Sequence, residues 1–393
     1  MDPIRNPYSP GAGLRPFELA GRDHEIATFD VLRARARQRR NGQSMVLYGL
    51  RGVGKTVLLN ELAEAARSDG WIVAKVEADA SGSRSPFRSQ IAQSLNVALR
   101  QVQGKGARGN RLKAALRTFK SFSLNAAPDG TLSVGIELEP AQGRADTGSL
   151  QADLTDLALD LGDAAVELDC GVALFIDEMQ DLKLDELSAI CQACHEAGQQ
   201  NRPFFIVGAG LPNLPGILAE ARSYAERLFH YATLGPLPPT EAAAALTRPA
   251  KHERVAWTDE AVAIVLDAAG GYPYFLQEYG SAAWDVATNS PIDTSDAAEG
   301  VRIGKARLDN GFFRSRWERA TPGERDYMSA MAPDGDAPSQ SGEVARRLDK
   351  QPTQLGPVRA KLIAKGLVFA PEHGSIAFTV PGMADFIARQ SID

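Results

Sequence analysis

The stretch SMVLYGLRGVGKTVLLNEL, residues 44–62, constrains the chain more than any other. Residues 44–48 are a short apolar run that reads as a strand. The glycine-rich turn GLRGVGKT follows, and then Val57, Leu58, Leu62 and Ala65 recur at helical spacing. The turn fits G-x-x-x-x-G-K-[ST] at every fixed position, and it stands in the strand-to-helix context that the pattern requires. Gly49, Gly52 and Gly54 allow a backbone to wrap an anion with its N–H groups turned inward, and the helix N-terminus adds the positive end of its dipole. In such a cradle, which also takes in Arg51, Val53 and Val57, Lys55 meets β- and γ-phosphates and Thr56 ligands Mg²⁺. The expected ligands are ATP or ADP with Mg²⁺.

A phosphate cradle alone does not imply hydrolysis, which needs a second metal ligand and a base. GVALFIDEMQDL, residues 171–182, offers both. Residues 172–176 form the continuous apolar run of a central parallel strand. The run ends in Asp177 and Glu178, at the strand edge where α/β sheets bind ligands. Asp177 would hold Mg²⁺ through water, and Glu178 would polarise the attacking water. Further strands are expected at 71–76, 203–208 and 230–234, giving an α/β fold with a doubly wound parallel sheet of five strands. An insertion at about 101–150 interrupts this alternation. Within it, residues 121–138 alternate apolar and polar around Asp129-Gly130, a hairpin signal that serves either as surface decoration or as a partner contact.

A chain of 393 residues exceeds what one core usually encloses, so two or three domains are expected. The formal net charge of -6 argues against wholesale coating by nucleic acid. Residues 301–393 are the mildly basic part, with 14 Lys and Arg against 11 Asp and Glu. No apolar run approaches the roughly 18 residues of a membrane span, and MDPIRNPYSPGAGLRPF lacks the apolar core of a secretory signal. A cytoplasmic protein without membrane contact is expected. The three cysteines are too few for a disulfide framework. CQACH, residues 191–195, has the spacing of a c-type haem attachment, but that chemistry follows export. Leu187, Ile190, Cys191 and Cys194 instead share one helical face, as small buried hydrophobes would, and no second Cys/His pair completes a zinc site.

Proline-rich GPLPPT, residues 235–240, opens a helical region running to about residue 290. Helical patterns then follow at 321–332, 341–350 and 353–366, with short strands at 367–369 and 376–378 around a turn at 372–374, the pattern of a winged helix. Its third helix carries Gln354, Arg359, Lys361 and Lys365, which could read duplex DNA; similar folds also dock proteins or pack subunits.

Over nearly its whole length the chain resembles the AAA+ ATPases of the origin-recognition and archaeal STAND type, specifically small bacterial ATP-binding proteins with an origin-recognition-like ATPase domain. The resemblance rests on RPFELAGRDHEI (15–26), GLRGVGKT, ALFIDEMQDL (173–182), SYAERLF (223–229) and GGYPYFLQEYG (270–280), together with the winged-helix-like tail. It implies an ATPase core over residues 1–235, a helical lid over 236–300 that includes Pro273, and a winged helix over 301–393. It places Gly21 and Arg22 against adenine, and it aligns Arg227 with an arginine finger that reaches a neighbouring subunit, where a plain surface arginine is the other reading. Two departures from the family pattern are present. IVGAGLPNLP puts glycine and alanine at 208–210, where a polar first sensor is usual and Asn213 comes late; Tyr274 follows Pro273 where many relatives carry a sensor arginine.

These features imply a slowly hydrolysing AAA+ switch whose nucleotide state moves core, lid and winged helix to control an unknown protein partner, with homo-oligomerisation a further possibility. The alternatives are an origin-recognition-like loader or remodeller acting on DNA, and a nucleotide-holding interaction protein with negligible turnover. A small-molecule kinase fits the acid pair, lid and winged helix less well.

Overall fold

The computed structural model describes residues 1–79, 86–104, 109–126 and 138–390. The chain divides into two compact units. One comprises His24–Tyr48 and Leu58–Thr233; the other comprises Met1–Asp23, Gly49–Val57 and Leu234–Asp393.

The first unit is built on five parallel strands, β1 (Ser44–Tyr48), β2 (Ile72–Glu77), β3 (Val172–Asp177), β4 (Phe204–Gly210) and β5 (Phe229–Thr233), in the order β2-β3-β4-β1-β5. All five fall within a residue or two of the strands read from the sequence. Every residue of β3 and β4 is buried, the reason these strands read as unbroken apolar runs. The register pairs Tyr48 with Gly210 and Thr233, and Ile176 with Gly208, so the C-terminal ends of these strands lie level along one edge.

Among the described residues, eight α-helices belong to the same stretch of chain: α1 (Asp23–Arg37), α2 (Lys55–Ser68), α3 (Phe87–Gly104), α4 (Asn110–Ala126), α5 (Leu150–Glu167), α6 (Leu184–Gln199), α7 (Leu214–Ala221) and α8 (Ala225–Leu228). The insertion contributes α4, which packs on α5. Here the hairpin expectation fails over residues 121–126, which are helical; residues 127–137 lie outside the described residues. Leu112, Ala115, Leu116, Phe119 and Phe122 recur every three or four residues and are buried, so helical periodicity governs. The serines that mimic alternation are satisfied within the helix or beside it. The Ser123 hydroxyl donates to the Phe119 carbonyl (2.7 Å) and that of Ser121 to the Ala141 carbonyl (2.8 Å).

The second unit holds a helical array and a C-terminal module. The array is α9 (Pro239–His252), α10 (Asp259–Ala269), α11 (Pro273–Val286) and α12 (Thr294–Arg307). The N-terminal segment is laced onto it: Trp284 Nε1 donates to the Asp2 carbonyl (2.9 Å), the Tyr8 hydroxyl to the Leu246 carbonyl (2.6 Å), and Trp257 Nε1 to the Tyr8 oxygen (3.0 Å). Helix α12 continues through a π-helical turn, Leu308–Phe313, into α13 (Arg314–Glu318). There follow α14 (Pro322–Met331), β6 (Ser339–Gln340), α15 (Ser341–Arg347), α16 (Pro352–Ala364), β7 (Val368–Phe369), β8 (Ser375–Phe378) and α17 (Met383–Gln390), with a small antiparallel sheet ordered β6-β8-β7. An aromatic chain runs through this unit: Tyr274 lies 5.0 Å from Phe312, Phe312 lies 5.3 Å from Phe313, and Phe313 stacks on Phe386 at 5.5 Å. No helix among the described residues is long and apolar enough to cross a membrane.

Candidate nucleotide site

The glycine-rich loop leaves β1 at Tyr48 and ends where α2 begins, at Lys55. Gly52 and Gly54 take φ of +88° and +91°, the left-handed region that a side chain would strain, and a β-carbon on Gly54 would meet nothing within 4 Å. The loop is thus open on the side of Gly54, as a cradle for an anion must be. The Lys55 ammonium, buried with its residue, donates to the Gly49 and Leu50 carbonyls (2.9 and 2.8 Å) and so holds the loop closed on itself. Thr56 and Val57 follow in the first turn of α2. A cradle with this curvature, a lysine and a threonine at its helical end fits a nucleotide's phosphates and a magnesium ion.

Residues distant in sequence brace the loop. Arg22 is 7% exposed, and its guanidinium donates to the Val53 and Gly235 carbonyls, both at 2.9 Å. Gly21 beside it, at φ +66°, approaches Leu237 and Glu241 so closely that a β-carbon would stand 3.0 Å from Leu237 Cδ2. Pro273 begins α11, and the next residue, Tyr274, donates its N–H to the Gly52 carbonyl (3.3 Å). The Arg51 N–H donates to the carbonyl of Thr379 (2.9 Å), just past β8. Thr379 is itself pinned, its hydroxyl donating to the Gly366 carbonyl (2.9 Å). The loop backbone is therefore held by the helical array at Gly52 and by the C-terminal module at Arg51. The sequence gives no sign of Thr379, because nothing local marks a carbonyl that meets a loop from the other end of the chain.

The acid pair closes β3. Asp177 is 6% exposed, and its Oδ1 accepts the Glu178 N–H (2.9 Å). Glu178 adopts φ +49°, ψ +40°, a left-handed conformation uncommon for a non-glycine residue, and leads into the 3-10 turn Met179–Asp181. Gln180 Nε2 donates to Glu178 Oε2 (2.8 Å). The glycines of β4 that depart from the family pattern have a steric cause: a β-carbon on Gly208 would collide with Met179 Sδ, and one on Gly210 would lie 2.6 Å from Gln180 Oε1. Asn213 is the N-cap residue of α7.

Other residues singled out in the sequence are placed as follows. Arg227 is exposed on α8, immediately before β5. Cys191 and Cys194 are buried on α6; burial pushes their thiols up to about 12 and about 11, and the Cys194 Sγ contacts the Ser44 hydroxyl (3.0 Å). On α16, the Arg359 guanidinium donates to the Ser375 carbonyl (3.0 Å), and just past that helix the Lys365 ammonium pairs with Glu324 (2.6 Å); Gln354 and Lys361 are exposed.

Residues 18–207 match the family model of the AAA ATPase domain, and residues 310–387 match a domain of unknown function, DUF8462. No curated protein matches the chain. Among solved structures, the Walker-type ATPase of Pyrococcus abyssi superposes with a TM-score of 0.60 at 14% identity, over 95% of this chain and 97% of its own. The ORC1 protein of Aeropyrum pernix, solved in complex with DNA, aligns at a TM-score of 0.47 and 16% identity over 96% of this chain and 94% of its own. The RuvB Holliday junction branch migration motor of Thermotoga maritima aligns at 0.45 and 16% identity, over 93% and 96% respectively. The match to the AAA ATPase domain over residues 18–207, the parallel five-stranded sheet and the strand–glycine-rich loop–helix unit agree: the chain has the AAA+ P-loop fold.

Proposed function

We propose that the chain is an ATP-hydrolysing conformational switch in which the state of the phosphate loop is relayed to the C-terminal module. The observation that carries this reading is the pair of backbone hydrogen bonds on consecutive loop residues, Arg51 to Thr379 and Gly52 to Tyr274. A loop whose backbone is already bonded to the lid and to the C-terminal module cannot rearrange around phosphates without altering both contacts. A ligand shifts a conformational equilibrium only by its difference in affinity for the two states, and breaking or keeping these contacts would supply such a difference.

In this reading residues 236–300 are the lid and 301–393 a winged helix. Lys55 and the loop amides take the phosphates, Thr56 and Asp177 the magnesium, and Glu178 the attacking water. Mg²⁺ neutralises charge developing on the phosphates. Arg227, exposed before the last strand, is assigned to a neighbouring copy's nucleotide. The DNA reading has less support, because Arg359 and Lys365 make hydrogen bonds inside the module. That favours a protein partner.

The test separates binding from turnover. Lys55→Ala is expected to lose nucleotide affinity in a calorimetric titration, whereas Glu178→Gln keeps it and loses roughly 10²- to 10⁴-fold in phosphate release. Parental hydrolysis by Glu178→Gln would remove the base assignment.

A further inference from the structure

Gln180 follows Glu178 by two residues, and its side-chain amide has three partners. Nε2 donates to Glu178 Oε2 (2.8 Å) and to Asp181 Oδ1 (3.2 Å), while Oε1 accepts the Leu211 N–H (2.9 Å). The partners fix which way round the amide stands: carboxylate oxygens accept and a backbone N–H donates, so a flipped amide would lose all three bonds. Leu211 is the first residue beyond β4. The amide thus links the carboxylate after β3 to the end of the neighbouring strand. β4 has room for it only because residue 210 is glycine.

We infer that Gln180 is the positioning residue for Glu178, fixing its carboxylate for the attack on the terminal phosphate and coupling it to the end of β4. No side chain on Gly208, Ala209 or Gly210 offers a polar group there. An amide reaching across from the turn after β3 supplies one. The inference rests on Glu178 being the base. Misplacing a reacting group by about 1 Å can cost on the order of 10²-fold.

Three readouts on the full chain test it: phosphate release, ADP affinity by calorimetry, and hydrogen exchange of the Leu211 amide. Gln180→Ala should lower turnover about 10- to 100-fold, leave ADP affinity unchanged and speed Leu211 exchange, whose acceptor is gone. Gly210→Ala should lower turnover by displacing the amide; because its β-carbon would also stand 2.7 Å from Leu214 Cδ2, it should cost less, though still something, when Gln180 is already alanine. Parental turnover in Gln180→Ala, unchanged Leu211 exchange, or an equal effect of Gly210→Ala in both backgrounds overturns the inference. Failure of the underlying reading looks different. If Glu178→Gln itself keeps parental turnover, the base is elsewhere; if it loses turnover while Gln180→Ala does not, only the role of Gln180 falls.

Discussion

Glu324 is 2% exposed on α14, an expensive place for a carboxylate unless it is well partnered. Burial acts to raise its carboxyl, but the Lys365 ammonium (2.6 Å), the Thr321 N–H (2.7 Å) and the Thr321 hydroxyl together hold it below its usual 4.5. A depressed folded-state value stabilises the fold at pH above the unfolded value, and that contribution is lost as pH falls through the folded one. Glu324→Gln is therefore expected to cost about 1–3 kcal/mol near neutral pH, with a penalty that shrinks in acid. Thermal unfolding of both forms at about pH 7 and about pH 3.5 checks this; a gap of equal size at both would mean packing, not charge, is responsible. The same pair shows why single residues are only partly legible. Sequence displays the charge on Lys365 and suggests a reach toward DNA, but not its partner 41 positions away. Lys55, Asp177 and Glu178 could be singled out because their motifs are local and chemically strict. Arg22, expected against adenine, donates to the Val53 and Gly235 carbonyls, contacts that no local pattern discloses.

At the scale of elements, β3 and β4, buried at every residue, announce themselves as apolar runs, and the alternation of strand and helix patterns marks the other three strands of the sheet. Residues 121–126, the end of α4, read as the start of a hairpin because period-two and helical patterns both fit a short stretch of serine and phenylalanine, and only burial decides between them. β4 carries the clearest hidden constraint. Its glycines read as a missing sensor, whereas they make room for Met179 and Gln180. Met179 is fully buried, so Gly208→Ala is expected to destabilise by about 1–3 kcal/mol through overpacking. Shortening the colliding side chain should relieve part of this, making Gly208→Ala with Met179→Ala less costly than the two single changes added together. Strict additivity in denaturant unfolding would contradict the steric account.

For the whole molecule, the boundaries suggested by sequence, a core followed by lid and winged helix, follow chain order, but compactness does not. The glycine-rich loop groups with the helical array and the C-terminal module, while the strands of the sheet fall in the other unit. No periodicity or motif could disclose this, because it arises from backbone hydrogen bonds between the loop and segments hundreds of residues later. The central claim is that nucleotide at the loop changes the hold of the C-terminal module on it. Hydrogen exchange of the Glu178→Gln form, with and without saturating ATP, tests this most directly, since bound nucleotide persists without turnover. The account predicts altered exchange in residues 48–57 together with faster exchange in residues 366–380, where Thr379 receives the Arg51 N–H. Exchange that changes in the loop alone, with ATP demonstrably bound, would contradict it.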